Sequence, residues 1–98
     1  MDEGDPAAVF AHRLRAGVVA FLMDREVAAF TEIAEVLGVA NNSLSGHLTR
    51  LEAAGLVKLE RGFLGRKPRT LIRLTTAGRD AWLAWLDQIG RDGVVNHS

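Results

Sequence analysis

The stretch between Thr31 and Thr76 constrains the fold of this chain more than any other part of the sequence. Two short runs with apolar residues at helical spacing lie on either side of Gly38-Val39-Ala40. Two short alternating runs follow, and a basic loop that contains glycine separates them. The sequence therefore predicts a helix, a turn, a second helix and then a β-hairpin, an order that sets one helix and one basic loop side by side.

The first of these helices is expected to begin at Thr31, whose hydroxyl is suited to an N-cap. Gly38 is expected to end it, because glycine adopts the left-handed backbone conformation that a helix terminus often needs. The residues at helical spacing that we expect to be buried are Ile33, Val36 and Leu37.

The second helix is expected to begin with Asn41 or Asn42 as its cap and to end at Gly55. The buried side of this helix is expected to consist of Leu44, Leu48 and Leu51, which follow the spacing i, i+4, i+7. The hairpin strands are predicted at residues 56–60 and 70–74, where apolar and polar residues alternate. Phe63 and Leu64 lie in the loop between them. We expect them to plug the hairpin onto the core, and the alternative is an exposed apolar pair at an interface.

The flanking segments predict one helix over residues 6–23, a short strand over residues 27–30 that pairs with the hairpin, and a last helix. Thr75 or Thr76 is expected to cap the last helix, which would run to about Ile89. The expected organisation is a disordered N-terminus at 1–5, one domain at 6–89 and a frayed tail at 90–98. The predicted fold class is mainly α with a small β-hairpin.

The charge is unevenly distributed although the net charge of the whole chain is zero. Residues 41–73 carry seven basic and two acidic side chains, a local net charge of +5. The remaining residues are correspondingly acidic. This local field favours a polyanionic partner, while the alternative is that the basic loop is merely solvated.

The exposed side of the second helix is expected to be small and polar. Its residues are Asn42, Ser43, Ser45, Gly46, Thr49 and Arg50. Small residues allow a helix to approach a partner closely, and hydroxyl, amide and guanidinium groups can bind base edges or phosphates. Ser45, Thr49 and Arg50 are the first candidates for base contacts. The candidates in the basic loop, suited to phosphates or a narrow minor groove, are Arg61, Arg66, Lys67 and Arg69.

The last helix is apolar around more of its circumference than a small domain needs for its own core. This excess predicts a homodimer built from the outer helices. The predicted interface residues are Phe10, Leu14, Phe21, Trp82, Leu83, Trp85, Leu86 and Ile89. The alternative is that both tryptophans cap the core of a monomer.

Several classes of function are disfavoured. There is no cysteine, and His12, His47 and His97 lie in unrelated segments, so we expect no metal site and a packed or capping His47. No catalytic set of residues is visible, so we expect neither an enzyme nor a cofactor. No apolar run is long enough for a membrane span, and the acidic first residues do not resemble a signal peptide, so the expected location is the cytoplasm.

The run SLSGHLTRLEAAGLVKLE, followed by GRKPRT and LTTAGRDAW, resembles the winged helix-turn-helix transcriptional regulators of the MarR/ArsR type. More narrowly, it is similar to the short members of that group that have no sensor domain. The resemblance covers roughly residues 10–89, and the combination of these pieces is more specific than either alone.

The resemblance implies a dimeric repressor or activator that binds double-stranded DNA. Ser43, Ser45, Gly46, Thr49 and Arg50 would then lie on the recognition helix, and Arg66, Lys67 and Arg69 on the wing. The terminal helices would form the dimer, and any small-molecule effector would bind between them. The competing hypothesis is a winged-helix module that binds another protein and has little specific affinity for DNA.

Overall fold

The computed structural model describes residues 6–96, with side chains over residues 8–91. The elements in chain order are α1 Pro6–Phe10, α2 Arg13–Arg25, β1 Val27–Ala29, α3 Phe30–Leu37, α4 Asn41–Ala53, β2 Val57–Leu64, β3 Lys67–Leu74 and α5 Thr76–Asn96. The strands form one antiparallel sheet in the order β1-β3-β2. The predicted fold class, mainly α with a small hairpin, is therefore confirmed.

The short strand before α3 pairs with the hairpin as predicted. Ala28 of β1 lies opposite Ile72 of β3, and both side chains are buried on the side of the sheet that faces the helices. Val57 and Leu74 are buried on the same face. The sheet thus closes one side of a core that α2, α3 and α4 close on the other.

The hairpin is longer than the sequence predicted. β2 continues to Leu64 and β3 begins at Lys67, so that only Gly65 and Arg66 form the turn. Gly65 has a φ of 64°, at the position where a two-residue hairpin turn of type II′ requires glycine. The alternating pattern ended earlier than the strands, because alternation marks only the part of a strand that has one buried face.

The buried residues of α4 were predicted correctly, since Leu44, Leu48 and Leu51 are all fully buried. The prediction for α3 was wrong at Val36, which is 56% exposed, while Ala34 is buried beside Ile33. Residues two apart lie about 200° apart around a helix, so burial of Ala34 places Val36 on the solvent side.

The predicted caps of α3 and α4 were also wrong. α3 begins at Phe30 with Ala29 as its N-cap, and α4 begins at Asn41 with Ala40 as its N-cap. Neither cap makes a side-chain hydrogen bond. β1 leads directly into α3, so its first turn forms before Thr31 is reached. The predicted stop at Gly38 is confirmed by its φ of 62°.

The predicted single helix at 6–23 is two helices, because the chain bends at residues 11–12. Nδ1 of His12 accepts a hydrogen bond from the backbone N–H of Leu14 at 3.2 Å and so caps α2. At the other end, α5 extends past Ile89 to Asn96. Residues 1–5 and 97–98, which hold the predicted disordered N-terminus and part of the predicted tail, lie outside the described residues.

Thr75 caps α5, as predicted, and joins this helix to the start of the hairpin. Its hydroxyl accepts a hydrogen bond from the N–H of Gly78 at 2.8 Å and lies within hydrogen-bond distance of two carbonyls, those of Gly55 and Leu56. The backbone N–H of Thr75 donates to the same Leu56 carbonyl at 3.1 Å. None of the described helices is both long and apolar enough to span a membrane.

Candidate nucleic-acid interface

The exposed side of α4 is the polar surface that the sequence predicted. The six residues of this surface, which we call the recognition face, are all exposed: Asn42, Ser43, Ser45, Gly46, Thr49 and Arg50. The three buried leucines on the opposite side hold α4 in place. The helix therefore presents small side chains on a rigid support, which is the arrangement that close approach to a partner requires.

Local hydrogen bonds orient part of this face. The Thr49 hydroxyl donates to the backbone carbonyl of Ser45 at 3.0 Å, so its proton is engaged within the helix and its oxygen can act towards a partner only as an acceptor. Oδ1 of Asn42 accepts from the N–H of Ser43 at 2.8 Å. A Cβ placed on Gly46 would meet no atom within 4 Å, so packing inside the chain does not require glycine there. The lack of a side chain at Gly46 therefore leaves room for a partner to approach α4 there.

The hairpin beyond the core, residues 61–69, forms the wing. Every residue in this range is exposed, and its four cations are Arg61, Arg66, Lys67 and Arg69. No carboxylate occurs within the range. Phosphate contacts by such cations bring affinity without base specificity, which is the complement of what the recognition face offers.

Arg73 contributes less to this field than the sequence suggested. Its Nε lies 2.9 Å from a carboxylate oxygen of Glu60 on the neighbouring strand. This hydrogen bond lowers the pKa of Glu60 and raises the pKa of Arg73. Since the pair neutralises itself, the positive potential of the hairpin arises mainly at the wing.

The prediction that Phe63 and Leu64 plug the hairpin onto the core was wrong. Their side chains are 72% and 61% exposed. The core-facing side of the sheet is covered only as far as Leu59, which is half-buried, because the helices do not extend beneath the outer part of the hairpin. The two apolar residues therefore belong to the outer surface of the wing.

Sequence reasoning missed a contact between His12 and His47, which it had placed in unrelated segments. The two rings lie 4.1 Å apart between centroids. Nδ1 of His47 is buried without a hydrogen-bond partner. Burial lowers the pKa of His47, and the nearby His12, Arg15 and Arg50 lower it further. Among the residues that the structure describes, no three potential metal ligands lie together.

The outer helices combine an internal contact with an uncovered face. Phe10, one of the predicted interface residues, is only 2% exposed. Its ring packs edge-on against Trp82, with 5.3 Å between ring centroids, and at a tilt against Trp85, with 6.0 Å between centroids. Leu14, Phe21 and both tryptophans are half-buried. Leu83, Leu86 and Ile89 remain 45–51% exposed along α5. The aromatic residues thus pack partly within one chain, and the aliphatic residues form the open surface.

A helix-turn-helix followed by a basic hairpin, with a third short strand on the hairpin, is the winged-helix arrangement. The sequence family described as "Winged helix DNA-binding domain" matches residues 14–91. The chain therefore belongs to the winged helix DNA-binding domain family, and the resemblance seen in the sequence is confirmed.

Solved structures show the same fold. A transcriptional regulator homologue from Pyrococcus horikoshii OT3 is 29% identical, with a TM-score of 0.82 over 92% of this chain and 87% of that one. Reduced AbfR, solved bound to DNA, is 26% identical, with a TM-score of 0.75 over 91% of this chain and 64% of AbfR. An uncharacterized protein of Methanocaldococcus jannaschii is 27% identical over 83% of this chain and 88% of its own length.

Proposed function

We propose that this chain is a homodimeric transcriptional regulator that binds double-stranded DNA and represses by occupying its site. The observation that carries the proposal is the recognition face beside the carboxylate-free wing, with both surfaces exposed. The recognition face would enter the major groove, and the wing would contact the backbone or the minor groove. Occupancy alone can block transcription, whereas activation would need a further surface for a protein partner.

The dimer part of the proposal rests on α5. Leu83, Leu86 and Ile89 lie at i, i+3 and i+6 on one side of the helix and are all about half exposed. Contiguous apolar surface of this kind is costly to leave in water. A two-fold axis through the outer helices would set two recognition faces about 34 Å apart, the spacing of successive major grooves. A small-molecule effector, if one exists, would bind between these helices.

Selection of bound duplexes from a random DNA pool tests the proposal and reveals half-site symmetry. Fluorescence anisotropy at several salt concentrations then measures affinity. Arg66→Ala combined with Lys67→Ala should weaken binding to all sequences and flatten the salt dependence, because each phosphate contact contributes about −0.9 to the slope of log K against log salt. Ser45→Ala or Thr49→Ala should instead change the preferred sequence.

Arg91→Ala is the matched control for the wing variant. Arg91 is an exposed cation on α5 that pairs with Asp87 at 3.1 Å, so its loss should leave the salt slope unchanged. Absence of binding at low salt, or equal effects of the wing variant and Arg91→Ala, would refute the DNA-binding proposal. Light scattering that returns the monomer mass of 10.6 kDa at micromolar concentration would refute the dimer.

A further inference from the structure

The wing carries an apolar pair that nothing in the described part of the chain covers. Of the six aromatic side chains, only Phe63 is exposed; the other five are buried or half-buried. Leu64 follows it directly and is 61% exposed. Removing a phenylalanine side chain from water is favourable, so an exposed position near the end of a hairpin favours a partner that covers it.

The charges around Phe63 restrict the chemistry of that partner. Four cations lie within the wing and no carboxylate does. A matching surface must be anionic at its rim and apolar within. The minor groove of DNA can meet both requirements, since phosphates line its edges and apolar side chains can insert between the base pairs of its floor.

The two apolar residues face opposite sides of the hairpin, because neighbours along a strand alternate. Leu64 lines a groove of about 320 Å³ together with Phe30 and Thr31 of α3. Phe63 lies on the opposite face, the one that carries Val57 and Leu59 against the helices nearer the core. Phe63 does not line that groove and pairs across the hairpin with Pro68. Phe63 lies beyond the helices that cover this face and is the more exposed of the two, so it is the one that can project into a partner.

The hairpin is long enough for this contact. Phe63 lies four residues beyond Leu59, the last residue of β2 that packs against the core. At about 3.3 Å per residue, the ring stands roughly 13 Å beyond the packed part of the sheet. The minor groove is only about 6 Å wide and 7.5 Å deep, so the ring rather than the whole hairpin would enter it, and the length of the hairpin keeps the helices clear of the DNA backbone.

We propose that Phe63 acts as an apolar wedge that enters the minor groove, partly unstacks one base step and so bends the bound DNA. This inference rests on the proposed DNA binding and adds a deformation to it. Side chains such as phenylalanine and leucine that enter the minor groove in this way kink a duplex by about 20–90° towards the major groove. The cations of the wing would hold the phosphates on either side while the ring displaces the bases.

The experiment uses the full chain and a duplex of about 30 base pairs taken from the selected pool. Dyes at the two ends report the bend by energy transfer, and 2-aminopurine placed at successive minor-groove positions reports unstacking. The wild-type chain should shorten the end-to-end distance and raise 2-aminopurine fluorescence at one step. Phe63→Ala should lose both signals and bind more weakly, with an unchanged salt slope because no charge is removed. Phe63→Leu should retain part of both.

Leu64→Ala is the matched control, since it removes a neighbouring apolar side chain from the other face of the hairpin. It should retain the bend and the fluorescence change. The proposal is overturned if Phe63→Ala binds and bends DNA like the wild type, or if Phe63→Ala changes the oligomeric mass and leaves the bend intact. The second result would make the wing tip a protein contact. If the wild-type chain does not bind DNA at all, the proposed function itself is refuted instead.

Discussion

The contact between α5 and the hairpin predicts that Gly78→Ala is strongly destabilising. A Cβ on Gly78 would lie 2.1 Å from the carbonyl oxygen of Leu56 and 2.9 Å from both the carbonyl carbon of Leu56 and Cδ1 of Leu74. A side-chain rotation could relieve the contact with Leu74. It could not relieve the contact with the Leu56 backbone, so α5 or β2 would have to move by about 1 Å.

The expected loss in the free energy of unfolding follows from the contacts that this movement disturbs. Overpacking typically costs about 1–3 kcal/mol, and this case lies near the upper end because the obstacle is backbone. The same Leu56 carbonyl accepts from the Thr75 backbone N–H, and the Thr75 hydroxyl caps α5, so the movement also weakens a cap worth about 1 kcal/mol. Alanine recovers roughly 1 kcal/mol of helix propensity. The net loss is about 2–3 kcal/mol.

Urea denaturation at fixed protein concentration, followed by far-UV circular dichroism, measures this change. A loss of this size lowers the thermal midpoint by roughly 10 °C or more in a domain of this length. Gly90→Ala is the matched control on the same helix, because a Cβ there meets no atom within 4 Å. It should stabilise by up to about 1 kcal/mol. The reasoning fails if the urea midpoint of Gly78→Ala equals that of the wild type, or if both variants change the free energy of unfolding in the same direction.

Three further predictions concern the interface and its surroundings. Gly46→Ala should raise the midpoint of unfolding yet weaken DNA binding, because the position is open within the chain but lies on the recognition face; unchanged affinity in an anisotropy titration would remove Gly46 from the interface. His47 has a lowered pKa when folded, so the unfolded chain takes up its proton more readily, and the free energy of unfolding should fall as pH drops below the ordinary value of 6.5. Urea titrations of His47→Gln should show a weaker dependence on pH in that range, and an identical dependence would contradict the assignment. Arg73→Ala should reduce the salt slope of DNA binding less than Arg66→Ala does, because Glu60 already neutralises Arg73, and equal slopes would show otherwise.

Local patterns in the sequence were enough to predict the exposed surface of α4 and the charge of the wing. The spacing of Leu44, Leu48 and Leu51 identified the buried side of α4, and by exclusion its exposed residues. Charge counting located the cations of the wing. Helical caps were predicted less well, because Thr31 and Asn41 have the right chemistry but the neighbouring strand and turn determine where each helix begins.

The sequence by itself determined the order of elements, the buried side of α4 and the basic character of the wing, because each depends on residues close together in the chain. Only the tertiary structure decided the contact between His12 and His47, the pairing of Arg73 with Glu60 and the exposure of Phe63. These depend on where the elements meet and on how far the helices extend beneath the sheet. An apolar residue in a hairpin can be buried or exposed. Which of the two occurs depends on how far the helices extend beneath the sheet.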